Sequence, residues 1–374
     1  MITGNNFHHM RFFLNSELNA LYVSLVIRSL AFSMVGIFVP IYLFFELNYS
    51  FNSILTFFII YSLAFLIISL TTYRLMDLLS FKYTILLTSP FYVAYFILLD
   101  FLQINPWIFF IPPILMGIAD GIYWPAFHYE FSGVSDYKKR GKEVGYIFNF
   151  SLLAGLIGPL LGGVILLFSG FSLLFICVLL LLIGSALPMF FTHHKNKIAN
   201  VRFKDIFAKN RIRDMIAFIG KGGILTAEGL FWPIFIFAFF KGYLKTGSLF
   251  TGISIVTIFF IFLISKLSDS YPRRDIIKIG TLFHAVSWLF SFFITNIFNL
   301  IGVFVFRNFA SVTMDVPFLA LTYDKSKNKA DYFVLREVFI SVGRILFLLL
   351  VMWFGSLGSS FILASGFSLL HLFL

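Results

Sequence analysis

The segment Gly36-Ile37-Phe38-Val39-Pro40-Ile41-Tyr42 is matched 193 positions later by Gly229-Leu230-Phe231-Trp232-Pro233-Ile234-Phe235. Both copies keep a glycine four positions before a proline, and both lie in long apolar runs. Self-similarity at a fixed offset indicates that a chain is built from repeated structural units. The fold therefore depends on how far this repeat extends along the chain.

Three more pairs of segments follow in the same order and at nearly the same offset, between 192 and 194 positions. They are Asp77 and Lys82 with Asp269 and Arg274, Trp124–Phe127 with Val316–Leu319, and Lys142–Val144 with Arg336–Val338. Four anchors in one order predict two homologous halves of parallel topology.

The composition places these halves in a membrane. Of the 374 residues, 60% are hydrophobic and 12% are charged, whereas soluble domains contain about 25% charged residues. A helix needs about 20 apolar residues to cross a bilayer. Twelve stretches qualify, and they are 18–46, 53–73, 83–102, 106–131, 143–169, 171–191, 214–240, 249–267, 276–297, 299–323, 335–355 and 357–374. We expect an all-α protein with twelve transmembrane helices and no room for a catalytic domain, and we expect no cofactor.

The positive charges predict the orientation. Lys and Arg number 22 at the N-terminus and at alternate connections, against two, Lys241 and Lys245, at the others. Because cytoplasmic loops are enriched in Lys and Arg, both termini are expected in the cytoplasm. The net charge of +11 then reflects topology in a cytoplasmic (inner) membrane and predicts no nucleic-acid partner. The polar first 17 residues and the long first run argue against a cleaved signal peptide.

The longest basic connection divides the chain. It predicts an N-terminal six-helix bundle over residues 1–192, a cytoplasmic basic linker over 193–213 and a C-terminal six-helix bundle over 214–374. We expect the protein to be a monomer.

Two local patterns carry a resemblance to a known family. The segments Tyr73–Lys82 and Ser265–Arg274 resemble the loop signature G-x-x-x-D-[RK]-x-G-[RK]-[RK], although the first copy lacks its glycines and the basic residue after Asp77. Gly145, Ala154, Gly158-Pro159 and Gly162-Gly163 resemble the helix 5 pattern G-x8-G-x3-G-P-x2-G-G. Together with the repeat, these motifs make the chain similar to the major facilitator superfamily of secondary transporters.

That resemblance implies specific roles. Helices 1, 4, 7 and 10 of the family line a central cavity that is alternately open to either side of the membrane. The matching loop residues would gate the cavity, and they are Asp77, Lys82, Asp269, Arg273 and Arg274. The glycines of helix 5 are equally explained by close packing against a neighbouring helix.

Seven ionisable residues lie deep in the apolar stretches, and they are Arg28, Asp120, Lys221, Glu228, Arg307, Asp315 and Arg344. Each costs about 2.5–3.5 kcal/mol at the bilayer centre, so each needs a partner, a hydrated cavity or a function. Six of the seven fall on stretches 1, 4, 7 and 10. This distribution agrees with a central cavity lined by those four helices.

Arg28 and Lys221 each precede a repeat proline by twelve residues, so the repeat predicts two cations on opposite walls of one cavity. Such a pair suits a carboxylate or another anionic group. The substrate-binding residues expected here are Arg28, Lys221, Tyr123, Trp124, Trp232 and Arg307. The alternative is that the charges only pair within the protein, Arg28 with Asp120, Lys221 with Glu228, Arg307 with Asp315, or Arg344 with Asp315.

Asp120, Glu228 and Asp315 are the candidate proton carriers, because a carboxyl in a poorly hydrated cavity beside a cation can exchange a proton when the cation is occupied. No metal-ligand spacing surrounds His128, Glu130 or His284. The preferred hypothesis is proton-coupled transport of a small organic anion. Two alternatives stay open, which are proton-driven efflux of amphipathic compounds and a transporter-like receptor or scaffold that moves nothing.

Overall fold

The computed structural model describes residues 17–134, 153, 155–188, 211–327 and 329–374. Everything described is helix or short connection. In the N-terminal half the elements are α1 (Glu17–Val35), α2 (Phe38–Ile41), a π-helical turn (Tyr42–Glu46), α3 (Phe51–Ser69), α4 (Thr72–Leu86), α5 (Thr88–Phe101), a 3-10 turn (Pro106–Phe110), α6 (Ile111–Val134) and α7 (Gly158–Ala186).

The C-terminal half repeats this order. Its elements are α8 (Ile212–Thr226), a π-helical turn (Ala227–Phe231), α9 (Trp232–Phe240), α10 (Tyr243–Ser270), α11 (Arg273–Leu289), a 3-10 turn (Phe290–Phe293), α12 (Ile297–Ser326), α13 (Ala330–Phe354), α14 (Leu357–Leu369) and a 3-10 turn (Leu370–Phe373).

These elements give the twelve predicted spans. Nine of the described helical segments are long and apolar enough to cross a membrane, and the bent pair α4 and α5 makes a tenth. The shorter apolar segment Leu357–Phe373 is the eleventh. At Gly170 the backbone has φ 75° and ψ −173°, which only glycine adopts readily. Gly170 therefore separates spans 5 and 6 inside α7, and the twelve-helix fold is confirmed.

The outer surface is apolar, as a bilayer requires. Phe168, Phe262 and Ile67 are among the large hydrophobic side chains exposed on the outside. Trp107 is 91% exposed and Trp353 is 81% exposed, and both lie where spans 4 and 11 reach the same face of the molecule. Tryptophan is enriched at membrane interfaces, so these two mark one boundary of the bilayer.

The repeated segment interrupts the first span of each half. Pro40 lies in the short helix α2, and Pro233 lies in the first turn of α9. Each proline adjoins a π-helical turn, at Tyr42–Glu46 in one half and Ala227–Phe231 in the other. Because proline lacks the N–H that continues an α-helix, the same motif interrupts the first span of each half, with the π-helical turn after the proline in one half and before it in the other.

Glycines set the helix packing within each half. A Cβ at Gly158 would lie 1.8 Å from Ser33 Oγ, so only glycine lets α7 approach α1 this closely. In the C-terminal half a Cβ at Gly343 would lie 2.1 Å from the Ile219 carbonyl oxygen, so α13 packs on α8 in the equivalent way. The helix 5 glycine pattern therefore has a packing role in this structure.

Two interfaces join the halves. α3 packs on α13, and α7 packs on α10. A Cβ at Gly247 of α10 would lie 2.1 Å from the Pro159 carbonyl oxygen of α7. The central cavity lies between these interfaces.

The halves also touch at both ends of the cavity. One end is the face at which the Lys- and Arg-rich connections lie, called here the basic face, where α6 and α12 end. There Ser132 Oγ and Ser326 Oγ are 3.2 Å apart, and His128 Nδ1 is 2.7 Å from Tyr323 Oη. At the opposite face the Phe45 and Phe237 rings lie 4.8 Å apart between centroids. A solute that enters from either side must therefore separate one of these two contact layers.

Candidate functional site

A cavity of about 460 Å³ lies between the halves. The N-terminal half contributes α1 and α6, and the C-terminal half contributes α8, the following π-helical turn, α12 and α13. Its lining includes six Asp, Glu, Lys or Arg side chains, all from the C-terminal half, and these are Lys221, Glu228, Asp315, Arg336, Glu337 and Arg344. The predicted lining by spans 1, 4, 7 and 10 thus agrees with the structure, and span 11 joins them.

Lys221 forms the central ion pair of this cavity. Its Nζ lies 2.7 Å from Asp315 Oδ1, and Ser311 Oγ donates a 3.0 Å hydrogen bond to the other carboxylate oxygen. Lys221 therefore pairs with Asp315 of α12, and not with Glu228 two turns further along its own span. The side chains of both partners are mostly buried. The spacing of Lys221 and Glu228 along one span predicted the wrong partner for Lys221. The rotation of α8 about its axis directs the Lys221 side chain toward α12 instead.

Arg344 lines the same cavity but has no carboxylate within salt-bridge distance among the described residues. Its Nη1 donates a 3.2 Å hydrogen bond to Tyr61 Oη of the N-terminal half. The guanidinium also lies 5.0 Å from the Phe65 ring centroid. Arg344 does not meet Asp315, one of the pairings that the sequence left open.

Arg28 and Asp120 form a buried pair inside the N-terminal half. Arg28 Nη2 lies 3.0 Å from Asp120 Oδ1, and Tyr92 contacts both, donating a 2.6 Å hydrogen bond to the carboxylate. The Arg28 guanidinium lies 3.6 Å from the Tyr123 ring centroid. Neither Arg28 nor Asp120 lines the central cavity, so the structure does not bring Arg28 and Lys221 together across it.

The buried pair nevertheless reaches the second half through one side chain. Tyr61 Oη donates a 2.9 Å hydrogen bond to Asp120 Oδ2 and accepts the hydrogen bond from Arg344. Gly117 allows this contact, since a Cβ there would lie 2.5 Å from the Tyr61 carbonyl oxygen. Tyr61 was not singled out from the sequence, because a tyrosine in an apolar run gives no signal of its partners.

Glu228 is the third predicted proton carrier. It lines the central cavity, and its Oε1 lies 3.2 Å from His284 Nε2. His284 is fully buried, and its Nδ1 lies 2.8 Å from Ser368 Oγ. The position of Glu228 therefore depends on α11 and α14, helices that the sequence placed outside the site.

Arg307 is held away from the central cavity. Its guanidinium carbon lies 3.8 Å from the Trp232 ring centroid and 3.7 Å from that of Trp288. The Arg307–Asp315 pairing does not occur. Of the predicted aromatic residues, Trp124 lines the central cavity, Tyr123 covers Arg28 and Trp232 covers Arg307.

Two charged cavity residues, Arg336 and Glu337, were missed. Arg336 and Glu337 contact each other, and Glu337 Oε1 lies 3.8 Å from His128 Nε2 of the other half. The predicted eleventh stretch began at residue 335, so its first charges were assigned to the membrane edge. The match of Arg336-Glu337 to Lys142-Glu143 was the available signal.

The predicted gating residues lie at the basic face. Asp77 and Arg274 are exposed, and Arg273 forms an ion pair with Asp324 at the end of α12. Lys82 lies in α4, just after Ser80, whose φ of 63° kinks the helix. Asp269 lies in the last turns of α10, and its side chain is outside the described residues, as is most of the linker 193–213.

Two pseudo-symmetric bundles around a charged cavity are an architecture that secondary transporters use. The chain belongs to the Major Facilitator Superfamily, whose family model matches residues 21–243. Members of this family are transporters and not enzymes, they bind small molecules, and they lie in the lipid bilayer. Within the described residues no group of three or more His, Cys, Asp or Glu side chains could hold a metal ion.

Relatives of known sequence and structure agree with the family. The uncharacterized protein YqgE of Bacillus subtilis (strain 168) is 25% identical over 256 residues, 63% of this chain and 58% of that protein. The chain thus matches less than two thirds of the length of that curated relative. The Escherichia coli fucose:proton symporter FucP has a TM-score of 0.69 at 14% identity, with 95% of this chain and 97% of that chain covered.

Two further solved structures have the same fold. The human organic anion transporter MFSD10 (TETRAN) gives a TM-score of 0.68 at 14% identity, covering 95% of this chain and 98% of that one. A bacterial homologue of the iron transporter ferroportin gives 0.69 at 10% identity, covering 96% of each. At these identities the likeness shows the fold alone.

Proposed function

We propose that the protein moves a small organic anion across the membrane together with a proton. The observation that carries this proposal is Arg344, a cation that lines the central cavity and has no described carboxylate within salt-bridge distance. The other charges of the lining are paired, Lys221 with Asp315 and Arg336 with Glu337, and Glu228 lies against His284. A bound anion would accept charge-assisted hydrogen bonds from the Arg344 guanidinium.

Lys221 and Arg344 line the same cavity, and we propose that they share the anion. The two residues lie on the packed helices α8 and α13, and a Cβ at Gly222 would lie 2.8 Å from the Arg344 backbone nitrogen. The anion would then compete with Asp315 for Lys221. Protonation of Asp315 weakens its hold on Lys221, so proton binding and anion binding favour each other. Because the two binding events favour each other, we expect symport, in which the anion and the proton cross in the same direction.

The test is flux into proteoliposomes with an imposed proton gradient and a panel of small carboxylates. Arg344→Gln removes a charge-assisted hydrogen bond worth roughly 1.5–3 kcal/mol, so we expect at least about a tenfold loss of apparent affinity. Arg74→Gln, which removes an exposed arginine at the basic face, should transport normally. Full transport by the Arg344 variant would contradict the proposal.

A second candidate function, proton-driven efflux of amphipathic compounds, is favoured by the apolar part of the lining, which includes Trp124, Phe127 and Phe318. The same proteoliposomes separate the two functions. Efflux predicts that neutral or cationic dyes move and that Arg344→Gln leaves their flux intact. A receptor or scaffold predicts no flux of either class.

The arrangement in the membrane completes the proposal. We place both termini and the linker 193–213 in the cytoplasm, on the basis of the distribution of Lys and Arg. Residues 1–192 and 214–374 would move as two bundles of a monomer in the cytoplasmic (inner) membrane.

A further inference from the structure

A second cavity, of about 170 Å³, lies inside the C-terminal half. It is bounded by the π-helical turn and α9, by α10 and by α12, and its polar lining residues are Glu228, Ser254, Arg307, Asn308 and Ser311. Among the described lining residues, only Glu228 borders both this cavity and the central one. The cavity exceeds the space that a single water needs, so it can hold a small solute.

Arg307 dominates the chemistry of this cavity. It is 2% exposed, and its Nη2 donates to Ser291 Oγ and, at 3.5 Å, to the Ser287 carbonyl oxygen. Its Nε and Nη1 donate to no acceptor among the described residues. Two charge-carrying N–H groups on a buried guanidinium are thus left without partners.

Within the described residues no carboxylate lies within 4.0 Å of Arg307. The nearest acidic lining residue, Glu228, contacts His284 instead. Arg307 is ten residues from the start of α12, about 15 Å along the helix, which places it well inside the hydrocarbon region. A buried cation at this depth is costly unless an anion lies beside it.

The two tryptophans fix the guanidinium plane. Trp232 and Trp288 lie against Arg307 and approach each other edge to face, with ring centroids 6.1 Å apart. Cation–π contacts of this kind orient an arginine without neutralising it. The fixed fork of the guanidinium therefore suits a small anion that accepts two hydrogen bonds.

We propose that Arg307 binds a monovalent anion in this second cavity, either a halide or the carboxylate group of a small compound. Its Nε and Nη1 donate to the anion, and Ser254 also lines the cavity. The site is separate from the central cavity, and its occupation does not require transport. The inference therefore goes beyond the proposed function and can fail or hold independently of it.

Bromide is the probe, because this heavy anion quenches tryptophan fluorescence on contact. The exposed Trp107 and Trp353 are first replaced by phenylalanine to remove collisional quenching. In purified protein we expect a quenching component that saturates with bromide and is reversed by chloride. Acetate is the second competitor. Reversal by acetate as well as chloride identifies a carboxylate-binding site, and reversal by halides alone identifies an inorganic anion site.

Variants assign the quenching to this cavity. Trp232→Phe should lose much of the saturable component, whereas Trp124→Phe, which removes the tryptophan of the central cavity, should retain it. Arg307→Gln should lose it entirely. If Arg307→Gln does not fold, the two tryptophan variants still decide the outcome. Quenching that rises linearly with bromide, or a saturable component lost with Trp124→Phe, would overturn the proposal.

Discussion

Arg28 and Asp120 show how a buried charge can hold a fold together instead of binding a solute. Each has the other as its only described ionic partner, and four aromatic side chains surround the Arg28 guanidinium, those of Phe32, Tyr92, Tyr123 and Trp124. Removing one member leaves an unpaired buried charge, whereas removing both does not.

We therefore expect Arg28→Met and Asp120→Leu each to destabilise the protein, by about 3–5 kcal/mol. The double variant should be more stable than either single variant. Thermal melting in detergent measures the difference. If Arg28→Met melted at the wild-type temperature but lost anion binding, the result would instead support the substrate-binding role that the sequence predicted for Arg28.

Asp315 gives a second prediction at the level of single residues. In the wild-type protein the apparent affinity for the transported anion should rise as the pH falls, because protonated Asp315 releases Lys221. Asp315→Asn should bind the anion with little dependence on pH.

The control is Asp275→Asn, an exposed carboxylate 3.9 Å from Lys278, which should keep the wild-type pH profile. Uptake measured from acidic to neutral pH checks both variants. If Asp315→Asn kept the pH dependence of anion affinity, the carboxyl that couples proton binding to anion binding would be Glu228 instead of Asp315.

The limits of sequence reasoning are clearest for these side chains. The sequence does predict how deep Arg28, Lys221 and Arg307 lie in the membrane, because the depth of a residue follows from its position in an apolar run. Their partners depend on the rotation of each helix about its axis, where one residue changes the direction by about 100°. Lys221 thus meets Asp315, 94 residues away, and no spacing rule indicates that contact.

The elements pack through glycines whose surroundings differ along one helix. In α7 a Cβ at Gly162 would lie 2.1 Å from the Met34 carbonyl oxygen, whereas nothing lies within 4 Å of a Cβ at Gly184. The same substitution should therefore have opposite effects at the two positions.

We expect Gly162→Ala to destabilise the protein by about 1–3 kcal/mol through overpacking against α1. Gly184→Ala should be neutral or stabilising, since alanine favours helix by up to about 1 kcal/mol. Melting temperatures of the two purified variants decide the matter. Equal tolerance at both positions would mean that α1 and α7 are further apart in solution.

The elements themselves were largely predictable. Length and hydropathy located the spans because a bilayer demands long apolar helices. The break at Gly170 falls between the predicted stretches 143–169 and 171–191, and Ser80 falls in the predicted connection between 53–73 and 83–102. The positive φ at Ser80 was not predicted, since it has no signal in the sequence.

At the scale of the whole molecule, the contact layers at the two ends of the cavity must open in turn. Ser132 and Ser326 are 194 positions apart and related by the repeat, so the contact between them lies near the axis that relates the halves. A covalent bond at this contact would hold the basic face closed.

In a Cys177→Ser background, oxidised Ser132→Cys/Ser326→Cys should lose transport and regain it on reduction. The matched control is Asp100→Cys/Ser172→Cys, a 2.7 Å contact within the N-terminal half, which should transport in both redox states. Proteoliposome flux with and without reductant is the measurement. Unimpaired transport by the oxidised Ser132/Ser326 variant would exclude rocking of the halves at this point.

Both contact layers bury aromatic rings, and this shared chemistry makes the closed form sensitive to temperature. Opening the layer at Phe45 and Phe237 exposes aromatic surface to water, with a positive change in heat capacity. Opening the layer at Ser132 and Ser326 breaks hydrogen bonds and also separates the Phe131 and Tyr323 rings, whose centroids are 5.0 Å apart. Because hydrophobic contacts weaken on cooling, a lower temperature should reduce the population of the form in which both layers are closed. This response to temperature is expected even when no solute is bound.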